Sequence, residues 1–242
     1  MGLFAKKITI FSFLAILAAA LTGCSSHTFV EGESLIVSTK DLPGYAEQSN
    51  VVVVDTRTPE EYAAGHVAGA VNIPTADIVI NVPVKNMLTS QKKIEKVMGS
   101  NGISNDTLVL AYDANKMGAS RLLWSLFMFG HQKVKVVDGG FDAIQTAGIQ
   151  LSTDIEAPAE AVFTAKEPSA NWLATMDEVR AQAENPDPHT ILLDVRSFEE
   201  YAEVGKVPTS LIIPYETNFF SDGTFKTTQI TRINYLEEKI YP

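Results

Sequence analysis

The sequence predicts an α/β protein with a parallel sheet flanked by helices. It also predicts that this domain is duplicated along the chain. Short runs of β-branched residues such as residues 51–54 (VVVV) lack polar alternation, which is typical of strands buried on both faces of a parallel sheet. These runs alternate with segments of helical spacing, the order expected of an α/β fold. Residues 51–74 and 191–214 have similar sequences, which indicates a duplication.

The first unit is predicted at residues 35–150, and its helices carry clear signals. Thr58, which is followed by proline, caps a helix that stops near Gly65. Residues 91–98 have helical spacing, and residues 119–129 are apolar nearly all round, which predicts a buried helix. The candidate strands of this unit are residues 35–37, 51–54, 70–74, 107–112 and 133–137, with a turn at 138–140.

Residues 151–171 change composition, because proline, alanine, threonine and acids dominate, and they predict an extended linker. The second unit is predicted at residues 172–242. It contains a helix that Thr175 caps and that runs through Ala183, followed by a strand at residues 191–193.

The two copies align through polar residues at matching positions. The first copy reads VVVVDTRTPEEYAAGHVAGAVNIP and the second reads ILLDVRSFEEYAEVGKVPTSLIIP. Asp55 and Arg57 of the first copy match Asp194 and Arg196 of the second. The offset between the copies is too long for a solenoid repeat, so a whole domain is duplicated.

The order of a strand, Asp-x-Arg, Glu-Glu-Tyr and GHVAGAVNIP (residues 65–74) resembles the rhodanese domain. Two such domains in tandem resemble the thiosulfate and mercaptopyruvate sulfurtransferases. Residues 118–124 (GASRLLW), 129–131 (FGH) and 137–141 (VDGGF) strengthen the resemblance in the first copy. The resemblance covers the first unit in full and the second in part, and it implies a rhodanese-like fold.

The resemblance also implies sulfur transfer from a small anionic donor, thiosulfate or mercaptopyruvate, to a thiophilic acceptor. In that family a cysteine thiolate takes the sulfane sulfur as a persulfide, in a loop at a helix N-terminus where negative charge is favoured. Asp113 stands at the matching position of the first copy, and the family's active loop belongs to the second copy. No residue is therefore predicted to be catalytic, and Asp113, Gly118 and Arg121 are predicted to line a vestigial active-site loop.

The second copy is expected to be incomplete. The strand that leads to the family's active loop is expected after a helix near residues 228–236, and the sequence does not contain it. We therefore expect open edges at the strands of residues 191–193 and 210–212. The alternative is a natural short form whose second unit leans on the first.

The sequence therefore predicts a sulfurtransferase lineage without activity in this chain. The alternative function is a non-catalytic binding module of the cell envelope that uses the first domain. No cofactor or metal is expected, because the four histidines are scattered along the chain. No particular protein partner is predicted.

Arg196 matches an arginine that binds the anionic donor in the family and is predicted to bind substrate; a salt bridge to Asp194 fits equally well. Arg57 occupies the matching position of the first copy, and for this residue a structural role is favoured over contact with the donor. Asp55 and Asp194 are expected to hydrogen-bond the loops that follow their strands.

Several further side chains have structural interpretations. His66 is expected to be buried and hydrogen-bonded. His131 follows a helix C-terminus, where a cation is favourable, and is interpreted as a cap. Trp124, Phe127 and Phe129 are expected in the core.

The single cysteine is Cys24, in an N-terminal segment that resembles a lipoprotein signal. A basic start, the apolar run 8–21 and the tetrapeptide LTGC predict removal of residues 1–23 and acylation of Cys24. Residues 24–34 are then a tether, and Ser25 favours the outer membrane in a two-membrane bacterium. The alternative is an ordinary signal peptide with a chance cysteine.

Composition excludes other classes. The 242 residues carry a net charge of -10 and a pI near 4.9, so no nucleic-acid partner is expected. One cysteine excludes a framework of internal disulfides and a zinc site built on cysteines.

Overall fold

The computed structural model describes residues 34–114, 117–155 and 157–226. In chain order the strands are β1 (Ile36–Val37), β2 (Val51–Asp55), β3 (His66–Val67), β4 (Val71–Asn72), β5 (Val79–Ile80), β6 (Met87–Leu88), β7 (Leu108–Tyr112), β8 (Val134–Val137), β9 (Leu151–Ser152), β10 (Leu193–Asp194) and β11 (Leu211–Ile212). The α-helices are α1 (Leu42–Ala46), α2 (Pro59–Ala64), α3 (Gln91–Ser100), α4 (Met117–Met128), α5 (Gly140–Thr146), α6 (Met176–Glu184) and α7 (Phe198–Val204). Short 3₁₀ helices span Thr75–Ile78, Ala170–Trp172 and Tyr215–Asn218.

A five-stranded sheet forms the centre of the first unit, in the spatial order β1-β8-β7-β2-β4. All of its neighbouring strands are parallel. Asp55 at the end of β2 aligns with Tyr112 of β7 and with Asn72 of β4. The carboxyl ends of the strands therefore meet at one edge, where open α/β sheets bind their ligands.

Each face of this sheet is covered by helices, as the uniformly apolar strands predict. Val54 and Val109 pack with α3 and α4 on one face, whereas Val53 and Leu110 pack with α1 and α5 on the other. Successive residues of a strand point to opposite faces, so a strand between two helical layers needs an apolar residue at every position. The predicted fold class, a parallel sheet flanked by helices, is confirmed.

The five predicted strands of the first unit and its three predicted helices are all present, with shifts of a few residues at their ends. Thr58 accepts a hydrogen bond from the backbone N–H of Glu61, and the Glu61 carboxylate bonds back to the Thr58 backbone. This capping box confirms the predicted start of α2. The predicted turn is present at Asp138 and Gly139, with Gly139 at φ +76°, and α5 begins directly after it at Gly140.

The segment predicted as an extended linker, residues 151–171, packs against the first unit: it begins as β9, which pairs with β3, and it ends in a 3₁₀ helix. Phe163 and Ala165 are buried within the α3 and α4 side of the core. The backbone N–H of Ala161 donates to the carbonyl of Gly99, at 2.9 Å. Although the composition of this segment is rich in proline and acids, two of its apolar side chains complete the core of the first unit.

The described part of the second unit is small and exposed. β10 and β11 are parallel, with Leu193 aligned to Leu211, and among the described residues β10 pairs with β11 alone. The side chains of Leu193 and Val195 are each about half exposed. The helix capped by Thr175 is confirmed as α6, with a second capping box.

Several predictions lie outside the described residues. They include the signal peptide at residues 1–23, Cys24, nearly all of the tether and the helix expected near residues 228–236. Among the described residues, no helix has the length and apolar character that a membrane span requires.

Candidate functional site

A cleft of about 1240 Å³ opens at the carboxyl edge of the main sheet. Asp113 follows β7 directly, and Thr56 follows β2, so both lie at this edge. Gly118 and Arg121 on α4 line the same cleft, as does Arg196 of the second unit. The structure therefore brings together four of the predicted site residues: Asp113, Gly118, Arg121 and Arg196.

Asp113 is buried at the N-terminal end of α4. Its carboxylate accepts a hydrogen bond from the backbone N–H of Ala119 at 3.0 Å, and its carbonyl accepts one from Phe141 at 2.8 Å. A carboxylate at a helix N-terminus is favoured by the exposed backbone donors there. Asp113 thus serves as a helix-start acceptor in the position where the resemblance places a thiolate. Residues 115–116 of this loop lie outside the described residues.

Gly118 leaves the space that the loop requires. A Cβ atom at this position would lie 2.6 Å from Oγ1 of Thr56, 3.0 Å from Oγ1 of Thr75 and 3.1 Å from Oδ2 of Asp113. Any larger residue would therefore displace the polar groups at the carboxyl ends of the strands. The absence of a side chain here keeps α4 close to the loops after β2 and β4.

Arg121 is half-buried on α4 and faces the cleft. Its Nη2 donates to the backbone carbonyl of Asn86, and its guanidinium lies 4.7 Å from the centroid of the Trp124 ring. Its Nε is buried and has no hydrogen-bond acceptor in the part of the chain that the structure describes. Burial lowers the pKa of Arg121 from its ordinary value, since the charged form loses hydration.

Asp55 and Arg57 form a buried ion pair at the cleft wall, which Arg57 lines. Nη2 of Arg57 lies 2.6 Å from Oδ2 of Asp55 and also donates to the carbonyl of Gly65 at 2.7 Å. The Arg57 guanidinium lies 3.5 Å from the ring centroid of Phe141. Burial acts to lower the pKa of Arg57, but hydrogen bonding to Asp55 and its charge outweigh that effect and raise it. The predicted structural role of Arg57 is confirmed.

Arg196 repeats this arrangement in the second unit. Nη2 of Arg196 lies 2.6 Å from Oδ2 of Asp194 and donates to the carbonyl of Gly205 at 2.8 Å. The salt bridge to Asp194 is therefore present, and hydrogen bonding to Arg196 lowers the pKa of that carboxyl. The contact of Arg196 with a ligand stays a prediction.

The two histidines of the first unit, His66 and His131, are both buried. His66 is buried, with Nδ1 2.8 Å from the carbonyl of Tyr62, which confirms its interpretation as a satisfied interior histidine. His131 does cap the end of α4, but through its backbone, whose N–H donates to the carbonyl of Leu126 at 2.9 Å; the expected contact of a cationic ring with the helix end is absent among the described residues. His131 is buried beside Phe163, and Nε2 contacts the carbonyl of Lys133 at 3.0 Å. Burial lowers the pKa of His131, so the neutral form is favoured.

Sequence reasoning missed part of the cleft wall. Phe129 is in the core as predicted, but Trp124 lines the cleft. Phe219 and Phe225 line it from the second unit, and they pair with each other across a turn. No local pattern marks these phenylalanines, since they flank a short loop outside the repeat. Among the described residues, no cluster of histidine, cysteine, aspartate and glutamate has a geometry suited to a metal ion.

The main sheet and its flanking helices form a rhodanese-like α/β fold. Residues 38–147 match the family model of the rhodanese-like domain. A "Putative thiosulfate sulfurtransferase" of Mycobacterium leprae is 28% identical over 213 residues, which cover 81% of this chain and 75% of the relative. One of the same name from Mycolicibacterium smegmatis is 29% identical over 201 residues, 76% of this chain and 70% of the relative.

Solved structures agree on the fold. SseA from Escherichia coli, described as having the rhodanese fold of the 3-mercaptopyruvate sulfotransferases, superposes with a TM-score of 0.72 at 23% identity. That alignment covers 81% of this chain and 80% of SseA. The resemblance to sulfurtransferases proposed from the sequence is thus supported by related sequences, and the similarity in three dimensions concerns the fold.

Proposed function

We propose that this chain is a sulfurtransferase-lineage protein that does not itself transfer sulfur. The observation that supports the proposal is that neither copy contains a cysteine; the loop after β7 holds Asp113 instead, whose carboxylate accepts the Ala119 N–H at the start of α4. Sulfur transfer of this kind needs a thiolate to attack the sulfane sulfur and carry it as a persulfide. A carboxylate cannot form that bond, and its charge repels an anionic donor. The sequence has one cysteine, Cys24, which lies outside both copies.

The test is a thiosulfate:cyanide sulfurtransferase assay on the chain with Cys24→Ser, which has no thiol. We expect turnover at the background rate of the uncatalysed reaction. A known thiosulfate sulfurtransferase assayed in parallel shows that the reagents are competent. Turnover by the Cys24→Ser chain above background would disprove the proposal, because no residue of that variant can hold a persulfide.

We also propose a binding role for the cleft, as the non-catalytic alternative predicts. The support is the size of the cleft and the mixture of arginine and aromatic side chains on its walls. Binding pockets for small molecules have volumes of roughly 300–1,000 Å³ and are mostly apolar with a few polar anchors. The cleft, at about 1240 Å³, is larger than this range and can therefore hold such a ligand, and its walls combine aromatic side chains with polar anchors.

Export and lipid anchoring through Cys24 are a separate proposal, supported by the LTGC motif and the apolar run before it. We expect the wild-type chain, produced in a bacterium that processes lipoproteins, to incorporate labelled fatty acid and to sediment with the envelope. The Cys24→Ser chain should do neither. Equal labelling of the two chains would rule the anchor out.

A further inference from the structure

The hairpin formed by β5 and β6 turns apolar side chains toward solvent. Val79 pairs with Leu88, and both pack on the α3 and α4 side of the core. Successive strand residues point to opposite faces, so the next pair, Ile80 and Met87, points away from the core, and both side chains are exposed. Residues 80–87 are exposed without interruption. The register of the hairpin therefore places apolar side chains in water.

The tip of the hairpin is its most exposed part. Val82 is 78% exposed and Val84 is 63% exposed. The loop is nevertheless held in place, because the backbone N–H of Asn86 donates to Oδ1 of Asn81 at 3.0 Å, and the Asn86 carbonyl accepts from Arg121. Apolar side chains that face solvent from a fixed loop indicate a surface that another body covers.

Lysines surround this tip in a chain that is acidic overall. Residues 77–96 contain four lysines and two acids, Asp77 and Glu95, whereas the whole chain carries a net charge of -10. The Glu95 carboxylate is engaged by the linker, since it accepts the backbone N–H of Ala165 at 3.0 Å. The lysines are Lys85, Lys92, Lys93 and Lys96. The region around the hairpin is therefore positive, although the chain is not.

The lysines are placed at the tip, at the base and beside the hairpin. Lys85 is in the tip and is exposed. Nζ of Lys93 donates to the carbonyl of Val79 at 3.2 Å, which brings its charge to the base of the hairpin. Lys92 and Lys96 are exposed and, being four residues apart, lie on one face of α3. Lysine stems are apolar, so they can lie against acyl chains while their ammonium groups reach lipid headgroups.

A lipid surface matches these features better than a protein partner does. The strands of the hairpin have two residues each, so they offer few backbone groups to an added strand. The exposed apolar side chains also form a much smaller surface than the roughly 800 Å² that each partner buries in a stable protein interface. A bilayer requires no complementary shape, because an apolar tip enters the headgroup region and lysines attract anionic lipids.

We infer that the β5–β6 hairpin docks on an anionic lipid bilayer, with Val82 and Val84 at the level of the headgroups and the lysines close to the lipid phosphates. Asn86 of this hairpin also lines the cleft, so docking brings the cleft close to the membrane surface. The inference does not depend on the acylation of Cys24, which would hold the N-terminus and not this loop.

The test uses the full chain with Cys24→Ser, which removes the one native thiol. Val84→Cys is added and labelled with nitrobenzoxadiazole, a dye whose emission moves to shorter wavelength in an apolar environment. We expect this shift with vesicles of phosphatidylglycerol and phosphatidylcholine, and a much smaller one with phosphatidylcholine alone. A signal at residue 84 reports the hairpin itself and not lipid binding by the N-terminal segment. Circular dichroism of each labelled chain shows whether it is folded.

The matched control for the label is Ile155→Cys in the same chain. Ile155 is 69% exposed, so the dye is as accessible there as at residue 84. It follows β9, which pairs with β3 on the α1 and α5 side of the sheet, away from the hairpin. We expect no shift at residue 155 with either kind of vesicle.

The contribution of the lysines is tested in the chain labelled at residue 84. Lys85→Gln should raise the lipid concentration at half-maximal shift about fivefold, because one lysine near an anionic surface contributes about that factor. Lys133→Gln removes the same charge at the amino edge of the sheet, where Lys133 pairs with Asp106 at 3.0 Å. This control should leave the half-maximal lipid concentration unchanged.

No shift at residue 84 on anionic vesicles would overturn the inference and leave a protein as the occupant of the tip. Equal shifts at residues 84 and 155 would also overturn it, since the chain would then adsorb without using the hairpin. Equal effects of neutral and anionic vesicles, or of Lys85→Gln and Lys133→Gln, would overturn the part assigned to the lysines. These outcomes are separate from the sulfurtransferase assay and from the incorporation of fatty acid, which test the other proposals.

Discussion

The two copies of the repeat build the same ion pair in different surroundings. In both copies the arginine bonds to the aspartate two residues before it and to a glycine carbonyl in the turn that follows the helix. The Arg57 side chain is 6% exposed, whereas the Arg196 side chain is 33% exposed. The local sequence therefore determines the geometry of the pair, and the layers packed around it determine its energetic importance.

The largest effect is expected from the aspartate of the buried pair. Asp55→Ala leaves Arg57 buried without its partner, and such a change costs about 3–5 kcal/mol of the free energy of unfolding. Asp194→Ala should cost far less, because water reaches Arg196 and replaces the lost bonds. Urea unfolding of the two variants measures the difference directly.

Asp177→Ala is a control for the comparison of the two aspartates, since Asp177 forms an exposed pair with Arg180 on α6. We expect its unfolding to match that of the wild-type chain closely. If Asp55→Ala and Asp194→Ala were equally destabilising, burial would not be what distinguishes the two copies.

The helix caps provide a second comparison, in which the copies should behave alike. Thr58 caps α2 and Ser197 caps α7, each in a capping box with a glutamate three residues later. Replacing either residue by alanine should cost about 1 kcal/mol of helix stability, because both caps are exposed. Amide hydrogen exchange in the first turn of each helix reports the loss. If the Thr58 replacement speeds exchange in α2 but the Ser197 replacement leaves exchange in α7 unchanged, the cap does not stabilise the helix of the second copy.

A smaller effect is expected from pH, and it should arise in the first copy. Burial lowers the pKa of His131 below its value in the unfolded chain, so the unfolded state binds more protons as the pH falls. The stabilisation from neutral His131 is present above a pH of about 6.5 and is lost as the pH falls below that value. His131→Gln should flatten the decrease of the unfolding free energy between about pH 7 and pH 5. If the pH dependence of the unfolding free energy is the same in the variant and the wild-type chain, a group other than His131 causes it.

Much of the first unit could be predicted from its sequence. The run at residues 51–54 is apolar at every position, and β2 lies between β7 and β4 with helices on both faces. Thr58 and Thr175 both precede helices whose third residue is a glutamate, so the caps could be located to the residue. Asp113, Gly118 and Arg121 were placed together because the family pattern fixes their spacing after β7.

The remaining features depend on contacts that no local pattern encodes. Phe163 lies in a segment of linker composition, and its burial depends on a groove that α3 and α4 create. Phe219 and Phe225 face the cleft because Asp138 accepts the Phe225 N–H at 2.8 Å, a contact between residues 87 positions apart. The position of His131 correctly indicates a helix end, where its N–H donates to Leu126, but the burial of its ring depends on Phe163, which comes 32 residues later in the chain.

The packing of the linker against the first unit also has a consequence during synthesis. Phe163 and Ala165 belong to the core of the first unit, although the last strand of its main sheet ends at Val137. Domains fold as units while the chain is still emerging from the ribosome. The core of the first unit is therefore still incomplete when all strands of its main sheet have been synthesised. Folding of this unit can be completed only after residue 165 has left the exit tunnel of the ribosome.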